Sequence, residues 1–193
     1  TRFKCDWSSD VCSSDLDIQL SPRLTSLEFS TEVQFLRDVL VHWLRRLPSL
    51  RQLNIRGSLT RSDFRAIGDC KTLTDLELST GEFLNLRSVP VELFQGLREA
   101  KNLTRLRWHD KQITRTAVEA IGQMSSLQSL ELHCFKLDAS ISSLAALTQL
   151  QKLSVGVLQK LDVGDSKTLI QLTSLRTLEL SASNFQHQEA AKL

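Results

Sequence analysis

Seven times the chain repeats one short string: a leucine, two other residues, a second leucine, one residue and an apolar residue. The strings are Leu24-Leu27-Phe29, Leu50-Leu53-Ile55, Leu73-Leu76-Leu78, Leu103-Leu106-Trp108, Leu127-Leu130-Leu132, Leu150-Leu153-Val155 and Leu175-Leu178-Leu180. Their first leucines are 26, 23, 30, 24, 23 and 25 residues apart. Recurrence at such an interval is the signature of stacked supersecondary units. Inside each string apolar and polar residues alternate, the period of a half-buried strand. In residues 127–133, Leu130 and Leu132 are directed to one side, and Ser129, Glu131 and His133 to the other. A leucine-rich helical bundle would keep the 3.6-residue period throughout. One unit is too small to bury its own apolar face, so successive units must stack.

Between the strings the period becomes helical. Val33, Leu36, Leu40, Trp43, Leu44 and Leu47 form a long stripe. Ser62 is placed to cap a shorter helix that turns Phe64 and Ile67 inward. Pro90 suits a first helical turn ahead of Leu93, Phe94, Leu97 and Ala100. Thr116 and Glu119 have the spacing of a capping box before Ala117, Ala120, Ile121 and Met124. Residues 141–147 and 166–172 leave room for about two turns each.

Strings and intervals of this kind resemble the leucine-rich-repeat family, and among its members the longer, ribonuclease-inhibitor-like repeats. The resemblance implies an α/β open solenoid, a horseshoe with a parallel sheet on its concave face and short helices on its convex face. It covers residues 17–193 as about seven repeats, expected to be truncated at both ends. One departure bears on the turns. The family usually has Asn or Cys three residues after the last strand leucine, bonding to turn backbone. Here that slot holds Glu32, Ser58, Gly81, Lys111, Phe135, Leu158 and Ser183. The turns must therefore satisfy their backbone groups in another way. The 30-residue interval also carries about six extra residues, around positions 84–89, a loop or displaced turn.

Residues 1–16 lack the apolar period. Asp6 to Asp15 back-translate to a common sequencing-library adapter, so this segment is expected to be non-native and disordered, outside the repeat domain. Without it the chain holds 22 basic and 19 acidic residues. That balance carries no footprint for nucleic acid or a membrane surface. No apolar run approaches the roughly 20 residues that span a bilayer. Setting the segment aside leaves Cys70 and Cys134, 64 residues apart. Cys70 is expected to be buried filler and Cys134, placed after a strand, partly exposed. Few cysteines without paired spacing point to a reducing compartment, and a cytoplasmic location is expected.

The sequence has no phosphate loop, dinucleotide fingerprint, nucleophile elbow or zinc spacing. No enzyme, cofactor or metal is therefore expected. The intervening strand residues are the candidates for binding another protein on the concave face: Gln52, Asn54, Arg56, Asp75, Glu77, Arg105, Arg107, His109, Glu131, His133, Lys152 and Glu179. Complementary charge on such a surface governs partner choice and on-rate more than raw affinity. Trp108 is expected to point into the core, with its repeat locally widened by its bulk. His109 and His133 occupy equivalent places in adjacent units, and neighbouring parallel strands lie about 4.8 Å apart, so their rings are expected side by side. The alternative is a regulator of a partner enzyme, of GTPase-activating or inhibitor type, acting through Arg105 or Arg107. The full-length protein is expected to be monomeric, with no nucleic-acid or membrane partner.

Overall fold

The leucines do turn toward a shared interior. The computed structural model describes residues 2–6, 21–30, 39–57, 59, 61–81, 96–138, 141–158 and 170–182. Among them are eight strands: β1 (Arg2–Asp6), β2 (Ser26–Ser30), β3 (Gln52–Arg56), β4 (Asp75–Gly81), β5 (Arg105–Thr114), β6 (Ser129–Asp138), β7 (Lys152–Val157) and β8 (Thr177–Ala182). They form one open sheet in sequential order, every neighbouring pair parallel. The register aligns equivalent residues across the sheet. Leu27, Leu53, Leu76, Leu106, Leu130, Leu153 and Leu178 make one inward row, and Phe29, Ile55, Leu78, Trp108, Leu132, Val155 and Leu180 the next.

Three helices cover that inward side: α1 (Val39–Arg46), α2 (Arg61–Asp69) and α3 (Arg115–Ile121). A 3₁₀ helix, Ile141–Ala146, takes the same place one repeat later. The expected apolar stripes are buried where they are described. Leu40, Trp43, Leu44 and Leu47 join the core, as do Phe64, Ile67, Leu97, Ala100, Ala117, Ala120, Ile121 and Met124. The Trp43 ring meets Phe29 edge-on at 5.7 Å, tying α1 to β2. Between α2 and the helical residues 96–98 the backbones nearly touch. A Cβ at Gly68 would lie 1.7 Å from the Gly96 carbonyl oxygen, so only glycine fits there. Val33, Leu36, Pro90, Leu93, Phe94 and residues 84–89 lie outside the described residues.

Among the described residues, backbone groups leading into the strands are satisfied without an asparagine ladder. Before each of the seven strands β2–β8, the first leucine of the string donates its N–H to the carbonyl three residues earlier, as in Leu50 to Leu47 and Leu127 to Met124. Two successive N–H groups then converge on one carbonyl of the preceding repeat. Gln128 and Ser129 donate to Thr104 at 2.8 and 3.0 Å, and Gln151 and Lys152 to Gln128 at 2.7 and 3.0 Å. Further along, β5 and β6 do not turn at Lys111 and Phe135. They run on as ten-residue strands, pairing Gln112 with Lys136, Ile113 with Leu137 and Thr114 with Asp138. The ladder itself therefore takes up the hydrogen-bonding groups that a turn would have left open.

Four expectations are corrected. Arg2–Asp6 does not stay outside the fold: it is strand β1, with Phe3 opposite Leu27 and Cys5 opposite Phe29. The parallel register of the sheet thus extends one strand ahead of the first string. Residues 7–16 lie outside the described residues. Secondly, Cys134 is buried, because β6 continues to Asp138 and places it on the inward side after Leu130 and Leu132. Thirdly, the cap of α3 is Thr114, not Thr116. Its hydroxyl accepts the Ala117 N–H at 3.4 Å, since β5 extends to Thr114 and the helix starts at the next residue. Fourthly, Ser62 is the second residue of α2 rather than its cap. Trp108 is fully buried as expected, and β4 has a register shift between Ser79 and Gly81, beside its repeat.

Candidate interaction surface on the strand face

The polar residues of the strings emerge on the opposite side of the sheet in three parallel columns. The first is Ser26, Gln52, Asp75, Arg105, Ser129, Lys152 and Thr177. The second is Glu28, Asn54, Glu77, Arg107, Glu131, Ser154 and Glu179, and the third Ser30, Arg56, Ser79, His109, His133, Gly156 and Ser181. All twelve candidate residues lie in these columns, so the register brings them onto one face.

Opposite charges meet across neighbouring strands. Arg105 holds Asp75 at 2.6 Å and Arg107 holds Glu77 at 3.1 Å, each within its own column. Lys152 bridges two strands, reaching Glu131 at 3.0 Å and Glu179 at 3.9 Å. Arg56 approaches the buried Glu28 at 3.8 Å. Exposed pairs of this sort add only about 0–1 kcal/mol each to stability. Their larger effect is on the surface itself: adjacent charges are balanced pairwise instead of forming a block of one sign. The pairing was readable from the sequence, since Asp75 and Arg105 hold the same slot in successive strings, as do Glu77 and Arg107.

His109 and His133 lie side by side as expected, and their rings are stacked, with centroids 4.9 Å apart and planes inclined by 15°. Such stacked rings do not aim their nitrogens at a common point, and among the described residues no group of three or more His, Cys, Asp or Glu is placed to hold a metal ion. Burial and the His133 ring push the His109 imidazole below its ordinary pKa. Glu77 and Glu131 oppose that shift, and Arg107 adds to it. Sequence reasoning missed what flanks this stack. On the far side of His133 stands Gly156, where a Cβ would lie 2.6 Å from His133 Nδ1. The only signal was a glycine in a strand interior, which marks a close approach. Of the other two histidines, His42 lies on α1, exposed and 3.1 Å from Arg46 Nη1, and His187 lies outside the described residues. No helix among the described residues is long and apolar enough to cross a membrane.

No family model and no curated protein matches the chain. Solved structures do. A leucine-rich-repeat protein of Leptospira interrogans matches with a TM-score of 0.54 and 20% identity over 94% of this chain. A plant peptide hormone receptor, RGFR1 in complex with RGF2, covers 82% of this chain at 13% identity, with a TM-score of 0.30. The chain spans 47% of the Leptospira protein and 39% of the receptor. Together with the sheet topology, the first of these matches shows a leucine-rich-repeat solenoid.

Proposed function

We propose that this chain is a non-catalytic recognition module that binds another protein across the strand face. The single observation that carries this reading is the alignment of twelve polar side chains from six strands into contiguous columns, on the side of the sheet away from the helices. Such a platform suits a partner whose own charges match the alternating pairs. A cytoplasmic location is part of the proposal, supported by few cysteines without paired spacing in the repeat region. The reading as a regulator of a GTPase or nuclease needs an arginine to swing into a partner's active site. Arg105 and Arg107 are both engaged with carboxylates, and each would first have to leave its pair.

The test inverts the surface while keeping its pairs. In the double variant Asp75→Arg/Arg105→Asp the ion pair survives and its polarity reverses. Proteins retained by the wild-type chain would be identified, purified and titrated against the double variant and against Arg65→Glu on α2. A partner lost with the first and kept with the second supports recognition by the strand face. A partner that ignores the first and is lost with the second assigns recognition to the helical side.

A further inference from the structure

The strand face balances its charges pairwise; the first two helices do not. Residues 39–70 hold six arginines against two aspartates, a net of +4 inside a chain whose total is +2. Four of these arginines lie on neighbouring helices, Arg45 and Arg46 on α1 and Arg61 and Arg65 on α2. Spacings of three and four residues put Val41, Leu44 and Arg45 on one face of α1, and Ser62, Arg65, Ala66 and Asp69 on one face of α2. The two helices pack side by side, and these faces border an open groove of about 410 Å³. Val41, Leu44, Ala66 and Cys70 give the groove its apolar lining. Arg45, Arg65 and Asp69 supply its charges, all three exposed. Among the described residues none of the three is in an ion pair. The second aspartate of the segment, Asp63, is buried and lies outside the groove's lining.

We propose that the α1–α2 groove binds an acidic segment of a partner protein, with carboxylates on Arg45 and Arg65 and aliphatic side chains against the apolar lining. The inference goes beyond the strand-face reading, because it adds a second ligand on the other side of the sheet. Charge complementarity selects the sign of the segment. Arg105, Arg107 and Lys152 on the strand face already hold carboxylates, whereas Arg45 and Arg65 hold none among the described residues. A guanidinium is weakly hydrated, and its planar fork matches a carboxylate with two hydrogen bonds. Two cations outweigh the one carboxylate of Asp69, and Arg46 and Arg61 extend the positive field past the groove. Asp69 repels a carboxylate set beside it, so the segment presents an uncharged or basic residue there.

The lining favours a peptide over a nucleic-acid strand. Binding of single strands relies on exposed rings on which bases stack. Trp43 of α1 and Phe64 of α2 are buried, and His42 does not line the groove. Aliphatic walls between two arginines suit a segment that alternates acidic and aliphatic side chains.

The full chain would be titrated by fluorescence anisotropy with a short labelled peptide of alternating glutamate and leucine. The same peptide with glutamine in place of glutamate, and a labelled oligouridylate, serve as comparison probes. The glutamate peptide is expected to saturate, and to bind about tenfold or more weakly to Arg45→Gln/Arg65→Gln, which loses two charge-assisted contacts. Arg98→Gln/Arg115→Gln removes the same charge from exposed positions elsewhere and should change the affinity by less than about twofold. Asp69→Asn should tighten binding, a gain that misfolding cannot produce. Equal binding of the glutamine peptide, an equal loss in the two arginine variants, or no binding of the glutamate peptide would overturn the proposal. A preference for the oligouridylate would overturn it in favour of a nucleic-acid strand. Each of these failures leaves recognition by the strand face standing, since that reading turns on Asp75→Arg/Arg105→Asp, a variant expected to bind the glutamate peptide like the wild type.

Discussion

His109 is a residue whose environment sets the sign of a measurable effect. Its imidazole is held below the ordinary histidine value of 6.5, first by burial and then by the His133 ring. The unfolded chain therefore binds more protons than the folded one between that value and the lowered one. Stability rises with pH wherever this is so. The contribution is fully present above pH 6.5 and is lost as pH falls through the lowered midpoint. Urea unfolding at pH 7.5 and 5.5 should show a decrease for the wild type that is smaller in His109→Gln. An equal decrease in both would place the titration elsewhere. The adjacency of the two rings was legible in the sequence, because His109 and His133 sit at the same offset from their strings. Gly156 as the space that accommodates His133 was not, since a lone glycine does not reveal which neighbour leans into it.

The strands were the most legible elements, and the helix starts the least. Strand positions are dictated by a two-residue alternation that also fixes the register, and a one-residue slip would turn every leucine outward. Helix starts depend on where the preceding strand stops, which pairing with a neighbour decides. That is why α3 is capped by Thr114 and not by the better-looking box at Thr116 and Glu119: Ile113 is still a buried strand residue. Packing between elements depends on close approaches that no periodicity signals. Gly68 is the sharpest case. In isolation, alanine would favour the helix by about 0.8–1 kcal/mol over glycine. Here the new Cβ would meet the Gly96 carbonyl oxygen at 1.7 Å, and a backbone atom has no rotamer with which to yield. Gly68→Ala should therefore lower stability by about 1–3 kcal/mol, in line with other overpacked sites. A urea midpoint at or above the wild-type value would show that α2 and the helical residues 96–98 can separate without cost.

At the scale of the whole molecule, a stack in which each repeat touches only its neighbours makes the cost of a mutation depend on position. Leu130 and Leu178 have the same slot and the same side chain. Leu130 is fully buried between β5 and β7, whereas Leu178 on β8 is 38% exposed. Leu130→Ala removes a side chain enclosed from both sides and should cost about 2–5 kcal/mol. Leu178→Ala removes contacts from one side and returns a group that water already reaches, so its cost should fall below about 2 kcal/mol. The ordering follows from topology alone, because chemistry and string position are held constant. Amide exchange should follow the same gradient, with the slowest protons in β5 to β7 and faster ones in β8, as expected when opening proceeds from an edge. Equal costs at the two leucines, together with uniform exchange, would mean that the sheet opens as one cooperative block. In that event the strand face would reach a partner as a rigid plate instead of a row of units able to yield one at a time.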